Sequence, residues 1–302
     1  MPYYTPLRYP GGKRRLASVV MMLLEQNGLR DIEYVEPYAG GSAVALALLM
    51  EEYAFTVHIN DLSRPIYAFW FSVLHHNREL SRRLESVRLS MPEWRRQRAV
   101  YENRESADLL DLGFAALFLN RTNRSGIISG GVIGGKDQSG PWGLDARFNR
   151  KELVRRIQKI GRYSSRIKLY QSDALAFTDA VLPGIGSNVF VFFDPPYIDK
   201  GEDLYLNNYT VADHHALAKR ICGLVRPWIV TYDRGAIRHG LYRTQRRMTF
   251  GLRYSAQARC EGEEVMFISD GLALPPHWRA GKPFCMTPPR CEYPLYGKME
   301  VS

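Results

Sequence analysis

Five consecutive apolar residues, Val189-Phe190-Val191-Phe192-Phe193, run with no polar face into Asp194-Pro195-Pro196-Tyr197. A strand without a polar face must be covered on both sides, which points to a parallel sheet with helices packed on each face. The consecutive prolines fix φ and remove two backbone donors, making a rigid elbow that aims the Asp194 side chain and the carbonyl after it. Ligands of open α/β sheets bind beyond the carboxyl ends of the strands, and Asp194 stands at such an end. Tyr197 adds an aromatic face on which a planar base can stack. A proline-terminated strand alone explains the prolines, but not an acid and an aromatic at the two ends.

A second cluster repeats the logic. Tyr34-Val35 runs into Glu36-Pro37-Tyr38-Ala39-Gly40-Gly41. A helical stretch rich in Ala and Leu follows from Ser42 to Met50, then a strand, Val57-His58-Ile59, that ends in Asn60-Asp61. Strand, glycine turn, helix, strand and acid form the front of a nucleotide-binding α/β sheet: glycines admit a ligand to the backbone, and Asp61 can hold a ribose diol. A tight strand-to-helix turn without a ligand is the competing reading.

Upstream, Pro6-Leu7-Arg8-Tyr9-Pro10-Gly11-Gly12-Lys13 precedes a helix predicted over 16–30. Free N–H groups and Lys13 suit an anion. The GxxxxGK[ST] frame fails, because Arg14 follows Lys13 and no strand precedes the glycines. An ordinary glycine turn fits equally well.

Sheet-like patterning returns at 167–170, with a helix over 212–225, a strand over 228–232 and an antiparallel hairpin from 250–254 and 264–269. Between 62 and 167 the pattern changes: 84–101, 108–120 and 150–160 read as helices. The stretch from 120 to 143 is polar, with seven glycines after residue 125. A loop of that length in a compact chain is a functional or mobile element. Charge follows the same boundary. Residues 78–168 hold 20 basic and 10 acidic side chains of the chain's 41 and 31, so the remainder balances at 21 of each and the net +10 lies in this one stretch. A basic block of this kind faces a polyanion or solvates a helical surface. The second reading is preferred for Arg82, Arg83, Arg95 and Arg96.

Four cysteines without a CxxC and seven histidines without ligand spacing indicate neither a zinc site nor a disulfide framework. The longest apolar run, 34–50, is broken by Glu36, Pro37 and two glycines, and no basic segment followed by an apolar one opens the chain. A soluble cytoplasmic protein without a membrane span is expected.

Taken in order, these motifs resemble the Dam-like adenine-specific DNA methyltransferases, which use S-adenosylmethionine (SAM). Leu7-Arg8-Tyr9-Pro10-Gly11-Gly12-Lys13 looks like the family's N-terminal SAM segment, and Val35–Gly41 like its glycine motif. Asp194-Pro195-Pro196-Tyr197 looks like its catalytic tetrapeptide. Phe118-Leu119-Asn120-Arg121-Thr122 resembles a DNA-side segment, and Ser172-Asp173-Ala174 the acid that contacts the SAM adenine. The likeness covers most of residues 5–270. Two departures stand out: Ser42 where many relatives carry another glycine, and Asn123-Arg124-Ser125-Gly126 after the Asn-Arg-Thr segment.

The resemblance implies an α/β fold, a Rossmann-like SAM-dependent methyltransferase with a mostly parallel seven-stranded sheet and an inserted, mainly helical target-recognition domain. Residues 1–61 and 167–272 would form the catalytic domain, 62–166 the insertion and 273–302 an irregular tail. It implies SAM held by Tyr9, Lys13, Glu36, Pro37, Tyr38, Gly40, Asp61, Asp173 and Asp194, with no metal. Catalysis falls to Asp194, Pro195, Pro196 and Tyr197, and contact with double-stranded DNA to the segment holding Asn120; Arg121, Arg124 and Lys136 are further DNA-contact candidates from their place in the polar loop. A cognate restriction endonuclease is a further expected partner, and a monomer or weak dimer the expected assembly. Cytosine-N4 or RNA adenine methylation would use the same tetrapeptide. A catalytically silent DNA-binding subunit would be favoured by a lost acid or aromatic, and both are intact.

Overall fold

The computed structural model describes residues 2–8, 16–198, 209–256, 258–276 and 278. Its strands are β1 (Ile32–Glu36), β2 (Ala54–Asn60), β3 (Ile167–Tyr170), β4 (Val189–Phe193), β5 (Trp228–Asp233), β6 (Arg246–Ala256) and β7 (Ala258–Ile268). They form a seven-stranded sheet in the order β3-β2-β1-β4-β5-β7-β6. The pairs β1–β2, β2–β3, β1–β4 and β4–β5 are parallel, and β7 runs antiparallel to both of its neighbours. Between β1 and β4 the strand order reverses direction, which is the position at which such sheets usually bind their ligands.

The apolar run at 189–193 is β4, the central strand of the sheet, and all five of its residues are buried. Its alternate side chains enter different layers. Phe190 and Phe192 join one core with Tyr34, Ile229 and Met266, while Val191 and Phe193 join another with Val35, Val230 and Phe267. The first core is covered by α1 (Leu16–Gln26) and α2 (Ala43–Met50), the second by α8 (Ala174–Ala180) and α9 (Val211–Cys222). A short α10 (Gly235–Arg238) follows β5.

The segment between β2 and β3 folds into α3 (Arg64–His75), α4 (Asn77–Ser86), α5 (Met91–Glu102), α6 (Leu109–Thr122) and α7 (Arg150–Gly161). Phe69, Trp70, Leu80, Phe118, Leu153 and Ile157 from these helices belong to the same buried cluster as Leu16, Leu46 and Tyr34. The insertion therefore extends the core over one face of the sheet and does not form a core of its own. The single helix expected over 84–101 is two. Ser90 caps α5 by accepting from the Glu93 N–H at 3.4 Å, and Pro92 sits in its first turn, where a missing N–H costs nothing. The helices α3 and α8 were not legible as separate elements. In α3 the apolar and aromatic residues crowd too many positions to show one face.

Charged side chains on these helices mostly answer one another. Arg82 and Arg83 pair with Glu79, Arg83 also with Asp111, Arg96 with Glu93, and Arg155 and Arg156 with Glu152. This agrees with reading Arg82, Arg83 and Arg96 as solvated helix surface. No helix among the described residues is long and apolar enough to cross a membrane. The expected tail falls almost wholly outside the described residues. Trp278, which lies within them, is buried in the first core.

Candidate active site

The acids singled out from the sequence come together because each ends a strand. Glu36 closes β1, Asp61 follows β2, Asp173 lies just past β3 and Asp194 follows β4. Adjacent parallel strands place these four side chains along one edge of the sheet.

The glycine turn is fixed from below. The Ala39 N–H donates to the Asn60 carbonyl at 2.8 Å and the Gly40 N–H to Asp61 Oδ2 at 2.8 Å. The Trp70 indole N–H donates to the Gly40 carbonyl at 3.0 Å. Gly40 has φ of 45°, a left-handed value that glycine adopts without Cβ conflict. Ser42 also sits there, at φ 44° and ψ 39°, immediately before α2. For a residue with a side chain this costs roughly 1–2 kcal/mol, which explains why glycine suits the position.

Glu36 is buried, and its Oε1 accepts from the Ala45 N–H at 2.9 Å and the Tyr34 hydroxyl at 3.2 Å. Burial, reinforced by the nearby Asp194 charge, pushes its carboxyl up to about 8 against those bonds. The folded chain thus holds this proton more tightly than the unfolded chain, whose value is 4.5. The stability it confers is complete below the unfolded value and is lost as pH rises through the folded one. Glu36→Gln, which mimics the neutral acid, should flatten that loss. Thermal denaturation followed from acid to mildly alkaline pH checks it: the midpoint of the parent chain falls more steeply than that of the variant, and parallel curves would refute the shift.

Asp61 divides its carboxylate between the Gly40 N–H and the Ser63 N–H, the latter at 2.9 Å on Oδ1, and burial raises it to about 6. Asn60, fully buried, was not singled out from the sequence. Its amide donates to the Pro37 and Ser172 carbonyls at 3.0 and 2.9 Å and accepts from the Ser172 N–H at 3.0 Å, tying the loops after β1 and β3 together. Asp173 caps α8 through the Leu175 and Ala176 N–H groups. Tyr209 donates to its other oxygen at 3.4 Å and accepts from Tyr38 at 3.1 Å.

The tetrapeptide is held from the far side. Thr231 on β5 donates to Asp194 Oδ1 at 2.7 Å. Pro195, Pro196 and Tyr197 are buried, and the Tyr197 hydroxyl donates to Glu264 on β7. Asn60, Thr231, Tyr209 and Glu264 carry no motif of their own; only Asn60 had a signal, its place beside Asp61 at a strand end. Tyr9 and Lys13 lie outside the described residues.

The four expected DNA contacts divide into two pairs. Asn120 and Arg121 are buried on the last turn of α6. The Asn120 amide accepts from the Arg8 N–H at 2.7 Å and donates to the Arg8 and Gly126 carbonyls at 2.6 and 2.7 Å. The Arg121 guanidinium donates to the Pro6 carbonyl at 2.7 Å. Asn120 ties the N-terminal segment to the glycine-rich loop, and Arg121 holds that segment to α6. Arg124 and Lys136 are exposed on that loop, as is Trp142, 70% accessible. The departure at 123–126 is a tight turn. Ser125 and Gly126 both have positive φ, and a Cβ at Gly126 would lie 2.5 Å from the Arg8 carbonyl oxygen. Asn123, fully buried, ties this turn to the Trp94 indole at 2.7 Å.

With this geometry in hand, the comparisons with known proteins are specific. Residues 9–223 match the D12 class N6 adenine-specific DNA methyltransferases. The Type II methyltransferase M.MjaIII of Methanocaldococcus jannaschii is 24% identical over 226 residues, spanning 68% of this chain and 73% of that protein. The rRNA methyltransferase aviRa from Streptomyces viridochromogenes aligns in structure over 85% of this chain and 84% of its own, at 14% identity and a TM-score of 0.37, too remote to support an inference. The family match takes in both glycine-turn and tetrapeptide motifs and most of the length, and the chain belongs to the D12 class N6 adenine-specific DNA methyltransferase family.

Proposed function

We propose that this chain is a sequence-specific DNA adenine N6-methyltransferase that binds SAM at the reversal of strand order between β1 and β4 and acts on an adenine turned out of the duplex. The observation that carries the reading is the convergence of the Glu36–Gly41 turn, Asp61, Asp173 and Asp194–Tyr197 on one edge of the sheet. The donor set suits SAM: carboxylates for a ribose diol and a cationic amino acid head, and a glycine turn the ligand can approach closely. Glu36, Pro37, Tyr38, Gly40, Asp61 and Asp173 would hold it, with Tyr9 and Lys13 from the N-terminal segment.

When bound, SAM supplies an electrophilic methyl group on its sulfonium. The chain's task is to make the adenine amine nucleophilic, since its lone pair is delocalised into the ring. Asp194 and the Pro195 carbonyl accept its two N–H bonds, which draws the nitrogen toward sp³ geometry and frees the lone pair. Tyr197 stacks on the displaced base, a contact that offsets the few kcal/mol lost on unstacking it. Proximity and electrostatics suffice.

The insertion, residues 62–166, carries target recognition in this reading, with Arg124 and Lys136 as phosphate contacts on the glycine-rich loop. Arg124→Ala and Lys136→Ala should each weaken DNA binding across all sequences and lower the slope of log K against log salt by about 1. Binding titrations over a range of salt decide it. An unchanged slope removes that residue from the interface.

The relative named a Type II methyltransferase favours a restriction–modification setting, with a cognate endonuclease as partner. Long-read modification sequencing of DNA from cells expressing the chain tests the whole reading. One methyladenine motif is the expected result and reveals the recognition sequence. Unmodified DNA alongside a purified protein that binds SAM would remove the duplex-DNA substrate and turn attention to RNA.

A further inference from the structure

We propose that Glu264 and Thr231 are positioning residues for methyl transfer, aiming the two working ends of the tetrapeptide from strands beyond the family match. This rests on the reading of Asp194–Tyr197 as the base-holding site. The match ends at residue 223, whereas Thr231 lies on β5 and Glu264 on β7.

The two strands are neighbours in the antiparallel ladder, which pairs Thr231 with Met266 and Asp233 with Glu264. Glu264 thus sits at the carboxyl end of β5, beside the tetrapeptide that leaves β4. Thr231 donates to Asp194 Oδ1 at 2.7 Å and so anchors the carboxylate from β5. Glu264 is 1% exposed and accepts from the Tyr197 hydroxyl, and Tyr197 itself is 6% exposed. A buried acidic side chain is a costly way to hold a ring unless the ring's orientation matters, and a hydrogen bond is more directional than apolar packing. Two consecutive prolines fix φ between these ends but leave the side-chain torsions of Asp194 and Tyr197 to be set by their neighbours. Thr231 sets one and Glu264 the other. Neither touches the adenine.

The test uses the full chain and a duplex bearing the motif found by sequencing. Single-turnover methylation at saturating SAM is measured for the parent, Glu264→Ala, Glu264→Gln, Tyr197→Phe and the double variant Tyr197→Phe/Glu264→Ala. Glu264→Ala should lose on the order of 10²-fold in rate with little change in SAM affinity, the scale expected when a reacting partner is misplaced. Glu264→Gln, whose amide oxygen still accepts from the hydroxyl, should recover most of that loss. Tyr197→Phe removes the hydroxyl, keeps the ring and should reproduce the Glu264→Ala defect, so the result stands even where Glu264→Ala fails to fold. In the Tyr197→Phe background, Glu264→Ala should then cost little more. A duplex with 2-aminopurine at the target gives an independent signal, because quenching by the stacked ring weakens in Glu264→Ala. Thr231→Val, equal in size but without the donor, should lower the rate and leave the 2-aminopurine signal intact. Losses that simply add in the double variant would overturn the positioning role and leave Glu264 a structural acid. A parent chain that methylates no DNA would overturn the function reading and this proposal with it.

Discussion

Asp194→Ala should abolish detectable adenine methylation in cells, with a loss of roughly 10²–10³-fold or more in purified protein. In the proposed mechanism the carboxylate would accept a hydrogen bond from the amine that strengthens as the nitrogen rehybridises, so its contribution would be made in the transition state and appear in the rate. The Thr231 hydroxyl that donates to it would be left facing a void, yet Asp194 is only partly buried, so the fold should survive. Modification sequencing of cells expressing the variant, paired with SAM binding by the purified protein, gives the result. Methyladenine persisting in the variant at parental levels would remove Asp194 from the chemistry. A fall in SAM affinity as large as the fall in rate would recast it as a cofactor ligand alone.

The second large effect is expected far from the tetrapeptide. Asn120 makes three hydrogen bonds, two to Arg8 and one to Gly126, from a buried position. Alanine would remove the partner of the buried Gly126 carbonyl and of the partly buried Arg8 N–H and carbonyl, at about 1–3 kcal/mol for each group left unsatisfied. Asn120→Ala should therefore lower the urea midpoint by the equivalent of several kcal/mol with an unchanged m value. The salt slope of DNA binding should stay at its parental value, because no phosphate contact is removed. A variant of parental stability but shallower salt dependence would restore Asn120 to the DNA surface.

That contrast shows where the sequence was readable. An unbroken apolar strand ending in an acid, such as 189–194, has few ways to fold, and the position of Asp194 followed from it. Asp61 and the Gly40 turn were legible for the same reason: local backbone demands, a left-handed φ and a strand end, constrain residue type. The insertion was harder. Asn120 and Arg121 were expected on the DNA side because their segment resembles one of the family and borders the loop, whereas the partners they hold, Arg8 and Pro6, lie more than a hundred positions away. Chemistry gives the capacity to donate hydrogen bonds; only the tertiary structure says to whom. Thr231 and Glu264 were invisible for a related reason. A threonine in an apolar strand and one acid among several in a hairpin carry no pattern until β7 is laid against β5. The break between α4 and α5 was missed as well, although Ser90 caps α5 and Pro92 stands in its first turn.

The bond pair between Asn120 and Arg8, with Gly126 on the same amide, makes the start of the chain and the glycine-rich loop one mechanical body. Work done on either is shared by the other. Should Tyr9, the residue after Arg8, meet the methyl donor, then occupancy by donor and occupancy by duplex are linked through a single side chain. Linkage requires the exchange to be equal in both directions: whatever factor the donor adds to duplex affinity, the duplex returns to the donor.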